Sequence, residues 1–528
     1  MSRLDRWRPP RGAVLAAALS GLILAVAFPP LNLWPLALVG LVPLLALARR
    51  LPPRQALVAG WLWGLALFLG LMYWLTVVFT NYGGLSWPLA TLTLLILVWY
   101  IGAYAGVWAC LLSWWGAKKP WVLLIAAPLA WAGLEWVRGQ IFTGLPWLPY
   151  AMGLSGALPL IQSLELWSTT GLGALLVLAN VLAAWLILPR LEGGRWGWSQ
   201  AAAAAALVML LALGWSWGSW RLQQVRALQA AAPKLAVTVV QGNFSLRELW
   251  NRGLRVQVLQ RQMDLTSRGG QQVSGRPWLV VWPESAAPFY FLREARLSRP
   301  VLEYARQHRV YLMLGCLGAI EKGKRLQVSN RVWLLGPGGE PRVFYDKVHL
   351  VPFGEYVPLQ QILFFVRAVA QIGDDFAVGQ AGKTLDVSGV PVGPLICYES
   401  IFPELARAQK KNGARLLVNQ TNDAWFGRTS APYQHMAHLM FRSVENRLAS
   451  ARSANTGVSG FVLPSGEVTR ATDIFVPAVA TQSLPLMNQM TFFSRHGDIV
   501  GPAGLIVGLL LLGLSAWQRR REREAKDV

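Results

Sequence analysis

The sequence predicts a polytopic α-helical membrane domain of about eight transmembrane helices, joined to an α/β layered domain outside the bilayer. Of the 528 residues, 54% are hydrophobic and only 14% are charged, whereas a soluble protein carries about a quarter charged residues. Apolar runs of span length fill the first 219 residues and recur near 500–517. Between them, short β-branched runs alternate with helical stretches, which is typical of an α/β domain. A disordered chain and a disulfide-rich miniprotein are excluded.

The apolar runs divide the chain into domains. Segments of about 17 to 25 apolar residues cross the hydrocarbon core as helices, and candidates lie near 11–28, 33–48, 56–79, 87–116, 120–137, 162–189, 197–219 and 500–517. We therefore expect a seven-helix membrane domain at 1–219, an extramembrane domain at 220–498, a final transmembrane helix at 499–518 and a basic tail at 519–528. The first span also resembles a signal peptide, but because further spans follow it we expect it to be retained.

The basic residues indicate how the chain is oriented in the membrane. The formal net charge is +23, yet no helix-turn-helix, zinc-finger or RNA-binding signature accompanies it, so we expect no nucleic-acid partner. Basic residues cluster instead in alternate connections between the spans, among them Arg3, Arg6, Lys118 and 519–521. Because Lys and Arg beside a span resist translocation, we expect both termini in the cytoplasm and the large domain on the far side of the membrane.

Two glutamates interrupt the apolar spans. A carboxylate is costly in lipid, so Glu135 and Glu165 are candidates for a functional role. Both lie near the predicted outer ends of their spans, and we favour an interfacial structural role for each.

The large domain contains strands and helices in alternation. Apolar and β-branched runs predict buried strands at 234–243, 278–284, 310–316, 330–335, 390–397 and 414–420. Helical patterns fall between several of them, at 299–308, 403–411 and 433–451. We therefore expect an α/β layered domain.

Three strand ends each carry one reactive group. Glu284 follows Trp-Pro, Lys347 lies in Phe-Tyr-Asp-Lys-Val-His-Leu, and Cys397 lies in Leu-Ile-Cys-Tyr-Glu-Ser. Together they supply a candidate base, a cation and a nucleophile for acyl transfer. A thiol at a strand-to-helix elbow meets backbone N–H groups and the positive end of the helix, so we expect the thiolate to be favoured.

The motifs around these residues resemble a known family. Trp-Pro-Glu284, Lys347 with the following Leu-Val-Pro-Phe-Gly-Glu355, and Cys397-Tyr-Glu399 are similar to the nitrilase superfamily, whose Glu-Lys-Cys triad sits in an αββα sandwich. The spans, the motif Thr-Gly-Leu-Pro-Trp-Leu148 and the strand end Val-Val-Gln-Gly-Asn243 resemble bacterial apolipoprotein N-acyltransferases more specifically. The resemblance covers nearly the whole chain.

The resemblance implies a ping-pong acyl transfer. Cys397 would attack the sn-1 ester of a phospholipid, with Glu284 as general base and Lys347 stabilising the oxyanion. The thioester would then pass its acyl chain to the α-amine of the diacylglyceryl-cysteine at the N-terminus of an apolipoprotein, the last step of bacterial lipoprotein maturation.

The resemblance also implies four supporting residues. Glu355 would support the lysine or the substrate amine, while Tyr398 and Glu399 would shape the pocket beside the nucleophile. Trp250 matches a family tryptophan near the site.

The resemblance places the chain in the bacterial inner membrane, with the catalytic domain periplasmic. The partners would be a phospholipid donor and an apolipoprotein acceptor, and we expect the protein to be a monomer. No cofactor and no metal are implied: a thioester conserves the energy of the ester, so amide formation needs neither ATP nor coenzyme A, and no Walker loop or dinucleotide fingerprint occurs. The apolar runs 287–292 and 362–366 are either loops that touch acyl chains or buried core.

Two other functions stay open at this point. A membrane-tethered amidase or nitrilase would use the same triad with water, and would release a free acid instead of acylating an amine. A transporter or scaffold that has lost catalysis is a different class, against which the intact triad and the scarcity of charges in the spans argue.

Other candidate groups have simpler interpretations. A lone cysteine is more often a small core residue, and we expect Cys110 and Cys316 to be inert. Three cysteines give no disulfide framework. His435 and His438, with Glu445 further along the same helix, have a spacing that metal ligands use, but structural roles are favoured.

Overall fold

The structure is a computed structural model that describes residues 7–116, 119–271, 273, 277–322, 325–357 and 376–525. Arg3, Arg6, Lys118 and the apolar run 362–366 lie outside the described residues. The chain divides into two compact units. The first comprises Met1–Thr76, Trp87–Arg221 and Asp498–Val528, and the second comprises Val77–Ser86 and Leu222–Gly497.

The first unit is helical. Its helices, up to the point where the chain enters the second unit, are α1 (Arg11–Leu24), α2 (Val42–Arg50), α3 (Pro53–Met72), α4 (Leu75–Asn81), α5 (Trp87–Trp115), α6 (Ala127–Arg138), α7 (Leu158–Ile161), α8 (Leu164–Leu191) and α9 (Trp198–Ala231). From Val77 on, α4 belongs to the second unit, as does α9 from Leu222 on. Helix α9 therefore continues to Ala231, beyond residue 219, at which the sequence predicted the end of the membrane domain.

Two of the expected spans are not single α-helices. The segment 33–48 contains a 3-10 helix (Trp34–Leu38) and then α2, with Pro43 in the first turn of α2. The segment 120–137 contains a π-helical turn (Val122–Ala126) before α6, with Pro128 in the first turn of α6. Proline lacks the N–H that a helix interior needs. A turn therefore precedes α2, whereas in the second segment the π-helical turn leads directly into α6 and accommodates Pro128.

Helices α3 and α5 pack closely through glycines. A Cβ atom built on Gly64 would lie 2.7 Å from the Cα of Gly102, and one built on Gly60 would lie 2.6 Å from the carbonyl oxygen of Ala105. Gly106 approaches the backbone of α3 in the same way. The two small-xxx-small pairs, 60/64 and 102/106, therefore let the two backbones touch.

The two span glutamates have polar partners within the first unit. Glu165 forms an ion pair with Arg221 at 2.5 Å. Glu135 accepts a hydrogen bond from the backbone N–H of Tyr150 at 2.6 Å, and its carboxylate lies 3.9 Å from Arg138. These contacts agree with the structural role that we favoured.

The second unit contains two β-sheets. The strands are β1 (Lys234–Gln241), β2 (Trp278–Val281), β3 (Ala287–Tyr290), β4 (Tyr311–Lys322), β5 (Arg325–Leu335), β6 (Pro341–Asp346), β7 (Leu385–Val387), β8 (Val390–Ile396), β9 (Leu416–Thr421), β10 (Ala449–Ala454), β11 (Gly460–Val462), β12 (Val468–Thr469) and β13 (Ala478–Pro485). The first sheet has the order β13-β1-β2-β4-β5-β6, with β3 paired to β4, and the second has the order β12-β11-β10-β9-β8-β7.

Besides the ends of α4 and α9, the second unit contains six α-helices in its described residues. They are α10 (Leu246–Trp250), α11 (Arg255–Gly270), α12 (Ala295–His308), α13 (Pro403–Lys411), α14 (Ala431–Asn446) and α15 (Phe492–His496). A serine starts α10 with a capping box, since Ser245 and Glu248 each bond the other's backbone N–H.

The sheets face each other across one apolar core and carry helices on their outer faces. Val237 and Val281 of the first sheet share a buried cluster with Val392 and Val418 of the second. On the far side of the first sheet, a separate cluster joins its strands to α11 and α12. A smaller cluster packs Ala406 of α13 against the second sheet. This is the αββα sandwich that the resemblance implied.

Two segments of this domain differ from expectation. The run 287–292 is not a loop at its start: Ala287–Tyr290 form β3, and Phe289 and Phe291 are buried in the core, so the core interpretation is correct. The helix expected over 433–451 ends at Asn446, because Arg447 adopts a left-handed conformation and β10 begins at Ala449. The sequence of β10, Ala-Ser-Ala-Arg-Ser-Ala, lacks the β-branched residues that are typical of a strand.

The last helix, α16 (Val500–Glu524), returns to the first unit. It extends past residue 518, so residues 519–524 of the predicted basic tail are helical. Arg520 and Glu524 form an i,i+4 ion pair of 3.0 Å that supports this last turn. By length and composition, five helices among the described residues could cross a membrane, namely α3, α5, α8, α9 and α16.

Candidate active site

Each expected reactive group follows the carboxyl end of a strand, two of them in the first sheet and one in the second. β2 is parallel to β4, and β6 has the same direction because β4 and β6 both pair antiparallel with β5. Glu284 follows β2 and Lys347 follows β6. In the second sheet, β8 leads into Cys397 and lies parallel to β9. The carboxyl ends of these strands therefore bring three chemically different side chains together.

The carboxylate of Glu284 is buried and held from two sides. Its Oε1 atom accepts a hydrogen bond of 2.7 Å from the side-chain amide of Asn330, on β5. Its Oε2 atom accepts one of 2.8 Å from the backbone N–H of Asn422, just after β9. The ammonium of Lys347 lies 4.0 Å from Oε1. Donors from both sheets thus fix the orientation of the carboxylate.

The ammonium of Lys347 is almost inaccessible, with a side chain only 1% exposed. It donates a hydrogen bond of 2.9 Å to Glu355. The same oxygen of Glu355, Oε1, also accepts a hydrogen bond of 3.2 Å from the side-chain amide of Asn330. The other oxygen, Oε2, accepts one of 2.8 Å from the backbone N–H of Val351. Glu355 therefore supports the lysine, and Asn330 connects the two glutamates.

Cys397 is buried, and its backbone has a positive φ of 51°. This left-handed conformation is unfavourable for a residue with a Cβ atom. It turns the chain sharply from β8 into a short 3-10 helix, Cys397–Ile401. The side chains of Cys397 and Glu284 act on each other's pKa: the thiol lowers the pKa of the carboxyl, and the charge of the carboxylate raises the pKa of the thiol.

Glu399 joins the cysteine turn to the lysine segment. Its carboxylate accepts hydrogen bonds from the backbone N–H groups of Ile396 at 2.7 Å, Val348 at 2.6 Å and His349 at 3.2 Å. The hydroxyl of Tyr345 donates to the same carboxylate. Because Val348 follows Lys347 directly, Glu399 holds the lysine near the cysteine turn.

Tyr398 and Trp250 have different surroundings. Tyr398 is partly buried beside the cysteine, and its ring packs edge-on against Phe402 at 5.1 Å and lies 5.9 Å from the ring of His349. Trp250 ends α10 with 46% of its surface exposed. Its described contacts do not join it to Glu284, Lys347 or Cys397, so a place near the site stays a prediction.

Burial changes the protonation of the central groups. It raises the pKa of the Glu284 carboxyl, which the Lys347 ammonium only partly offsets. Burial and the charge of Glu284 raise the pKa of the Cys397 thiol. Burial alone would lower the pKa of Lys347, but the charges of Glu355 and its other neighbours outweigh it and raise that pKa. The resting site thus has a neutral thiol, a charged ammonium and a carboxyl group that is a stronger base than usual.

The expectation that the strand-to-helix elbow favours the thiolate is therefore wrong. Only a short 3-10 helix follows Cys397, so no long helix dipole acts on it. Desolvation dominates in a site this deeply buried, and it favours the neutral thiol. The cysteine consequently needs a base to ionise it.

Several residues of the site were not predicted from the sequence. Asn330 and the backbone of Asn422 bind Glu284, and His435 hydrogen-bonds to the carbonyl of Cys397 at 3.0 Å. His435 is thus part of a hydrogen-bond network. Among the described residues, no three His, Cys, Asp or Glu side chains are grouped so that they could hold a metal ion.

Comparison with known proteins gives the family. Residues 20–182 match the family described as apolipoprotein N-acyltransferase N-terminal domain, and residues 222–508 match the carbon-nitrogen hydrolase family. An apolipoprotein N-acyltransferase from Geobacter metallireducens is 37% identical over 514 residues, covering 97% of this chain and 96% of the relative. The chain belongs to the apolipoprotein N-acyltransferase family.

Further relatives have the same name. The protein from Azotobacter vinelandii is 34% identical, with 98% of each chain covered, and that from Methylococcus capsulatus is 32% identical, with 96% of this chain and 97% of the relative covered. Among solved structures, an amidase from Nesterenkonia sp. AN1 matches 48% of this chain and 94% of its own, with 20% identity and a TM-score of 0.35. The protein is accordingly a membrane acyltransferase of lipoprotein maturation, with a lipoprotein as its substrate.

Proposed function

We propose that the protein transfers the sn-1 acyl chain of a membrane phospholipid to the α-amine of the diacylglyceryl-cysteine at the N-terminus of an apolipoprotein. The acyl chain would pass through a thioester on Cys397. The observation that carries this proposal is the buried cluster in which the Glu284 carboxylate lies 4.0 Å from the Lys347 ammonium, with the Cys397 thiol close enough to act on the pKa of that carboxyl. Family membership supplies the overall reaction.

In the first half-reaction, Glu284 takes the proton of the Cys397 thiol as the sulfur attacks the ester carbonyl. The Lys347 ammonium stabilises the oxyanion of the tetrahedral intermediate. When the intermediate collapses, the ester oxygen leaves with the proton from Glu284. The products are a thioester on the enzyme and a lysophospholipid.

In the second half-reaction, the α-amine of the acceptor attacks the thioester carbonyl. Glu284 accepts a proton from the amine, the carbon–sulfur bond breaks, and the proton returns to the sulfur. An amide and a neutral thiol result. Glu355 supports Lys347 throughout, as its 2.9 Å contact with the ammonium suggests, while Tyr398, Glu399 and Trp250 shape the approach to the cysteine.

The proposal includes the location of the enzyme. We place the domain of residues 220–498 in the periplasm, between a membrane domain at 1–219 and a last transmembrane helix at 499–518, with a cytoplasmic tail. Basic residues in alternate connections support this orientation in the bacterial inner membrane. A single chain supplies all of the catalytic groups, which is consistent with a monomer.

The alternative that shares this site is hydrolysis, with water in place of the amine. Purified protein in phospholipid nanodiscs would be given a synthetic diacylated lipopeptide and a phospholipid labelled in its sn-1 chain. We expect the label on the N-terminal amine of the lipopeptide, and none after the Cys397→Ala substitution. Label found only as free fatty acid in the parent reaction would contradict the proposal in favour of a hydrolase.

A further inference from the structure

The backbone of Cys397 adopts a conformation that something else must hold. Its φ of 51° is in the left-handed region, which costs a residue with a Cβ atom of order 1 kcal/mol or more. If the turn relaxed, the thiol would point elsewhere. The contacts of the carbonyl group of this residue are therefore informative.

Three side-chain donors converge on the carbonyl oxygen of Cys397. They are Nε2 of His435 at 3.0 Å, Oγ of Ser400 at 3.1 Å and Nδ2 of Asn419 at 3.3 Å. A carbonyl oxygen has two lone pairs, so it is fully engaged here. All three side chains are completely buried.

A buried arginine aligns two of these donors. Arg452, on β10, donates through Nη1 to the side-chain oxygen of Asn419 and through Nη2 to Asp423 at 2.7 Å. The same Nη2 lies 3.0 Å from Nδ1 of His435. Nδ1 also lies 3.2 Å from a carboxylate oxygen of Asp423. The guanidinium beside Nδ1 only donates hydrogen bonds and the carbonyl beside Nε2 only accepts them, so these two contacts together place the proton of the neutral ring on Nε2.

This arrangement fixes the direction of each hydrogen bond. The proton on Nε2 points at the Cys397 carbonyl, and the amide of Asn419 has its oxygen turned to Arg452 and its nitrogen turned to the same carbonyl. Burial and the charge of Arg452 also lower the pKa of His435, which keeps the ring neutral. The side chains of His435, Ser400, Asn419 and Arg452 are not among the groups to which we assign a role on the reacting atoms.

We propose that Arg452, acting through His435 and Asn419, holds the carbonyl of Cys397 and thereby keeps the nucleophile in its left-handed conformation, with the thiol directed towards Glu284. These three are positioning residues for acyl-enzyme formation. The inference rests on the proposed role of Cys397 as the nucleophile.

The sharpest test compares two amides at position 435. In His435→Gln, the amide nitrogen reaches the place of Nε2 and can still donate to the carbonyl. In His435→Asn, it reaches only the place of Nδ1, so the donor is lost. His438→Gln and His438→Asn, one turn further along α14, are the matched controls for changing a buried histidine on this helix.

Two rates would be measured on the full chain in phospholipid nanodiscs. One is alkylation of Cys397 by iodoacetamide, followed by peptide mass, and the other is acyl-enzyme formation in a single turnover. We expect His435→Gln to stay within about threefold of the parent and His435→Asn to lower both rates about tenfold or more, the value of one hydrogen bond. The KM for phospholipid should change less than kcat.

Equal rates for the Gln and Asn variants, or a His435→Asn protein as reactive as the parent, would overturn the proposal. Should His435→Asn fail to fold, Asn419→Ala removes the other donor that Arg452 aligns on the same carbonyl, and an unchanged alkylation rate would overturn the proposal equally. A parent that is alkylated but forms no acyl-enzyme would contradict the proposed function instead, while the alkylation rates would still decide the role of His435.

Discussion

At Cys397, burial opposes the ionisation that the proposed chemistry requires. The pKa of the thiol is raised by desolvation and by the charge of Glu284, so the cysteine is protonated until a base acts on it. Burial raises the pKa of the Glu284 carboxyl as well, so its carboxylate is a stronger base than usual. Deprotonation is therefore coupled to attack, and a buried, neutral thiol is protected from unwanted reactions between turnovers.

The lysine is the residue whose loss should separate binding from chemistry. Lys347→Met keeps the length of the side chain but removes the ammonium that lies 2.9 Å from Glu355. We expect acyl-enzyme formation to slow by at least about 100-fold, because the oxyanion loses its positive partner. Single-turnover mass spectrometry measures this rate. Lys411→Met, at the exposed end of α13, is the control, and a Lys347→Met enzyme as fast as that control would contradict the assignment.

His435 gives the site a dependence on pH that can be measured in stability. Burial and Arg452 lower its pKa below the value of about 6.5 expected in the unfolded chain. The unfolded state therefore binds the extra proton, and this contribution to stability is present above pH 6.5 and is lost as the pH falls below it. The Tm of the parent should drop more between pH 7.5 and pH 5.5 than that of His435→Gln. Parallel pH profiles would contradict this prediction.

The three reactive residues that the sequence predicted lie at strand ends, whereas Asn330 and His435, whose roles it missed, lie inside a strand and a helix. Glu284 and Cys397 follow apolar strands, and Lys347 follows the short run Val-Phe-Tyr-Asp of β6, so the pattern itself indicates that each lies at a strand end. Asn330 lies within β5 and gives no signal of its own, and His435 in α14 has only a spacing that metal ligands also use. Their importance depends on contacts between residues far apart in the chain, which periodicity cannot reveal.

At the scale of elements, the sequence predicted those with a strong apolar pattern. β1, β2, β8 and β9 were found because they are continuous apolar runs. β10 was missed because its residues are small or polar, and its stability comes from pairing with β9 and β11 instead of from its own composition. The segment 33–48 was apolar enough to span, but composition alone did not take account of its prolines.

Helix packing in the first unit yields a prediction of its own. Gly64→Val would push side-chain atoms into Gly102, because even a Cβ atom there would come within 2.7 Å of its Cα. We expect the substitution to lower stability by about 1–3 kcal/mol, measured as the Tm in detergent. Gly508→Val in α16 is the control, since a Cβ built on Gly508 meets nothing within 4 Å. Equal Tm values for the two variants would contradict close packing of α3 against α5.

At the scale of the whole molecule, the two units divide the work between anchoring and chemistry. The apolar helices of the first unit are long and apolar enough to anchor the chain in a membrane, and the αββα sandwich holds the strand ends that carry Glu284, Lys347 and Cys397. The overall composition had indicated a membrane protein. Its net charge of +23 became interpretable only when the basic residues were assigned to the connections between the spans.

The proposed orientation can be tested by labelling cysteines in spheroplasts. Gln260→Cys on α11 should react with a membrane-impermeant maleimide, whereas Ala525→Cys should react only after the membrane is permeabilised, because we place it in the cytoplasm. Both positions are exposed in the structure. The parent protein corrects for its three native cysteines. Labelling of Ala525→Cys before permeabilisation would contradict the orientation.

The most direct test of the central claim is the intact mass of the purified protein after incubation with phospholipid, with Cys397→Ala beside it. We predict that the parent gains the mass of one acyl chain, that hydroxylamine removes it as expected for a thioester, and that Cys397→Ala gains nothing. An acyl adduct on the Cys397→Ala protein, or lipid turnover by the parent without any adduct, would contradict the assignment of Cys397 as the nucleophile.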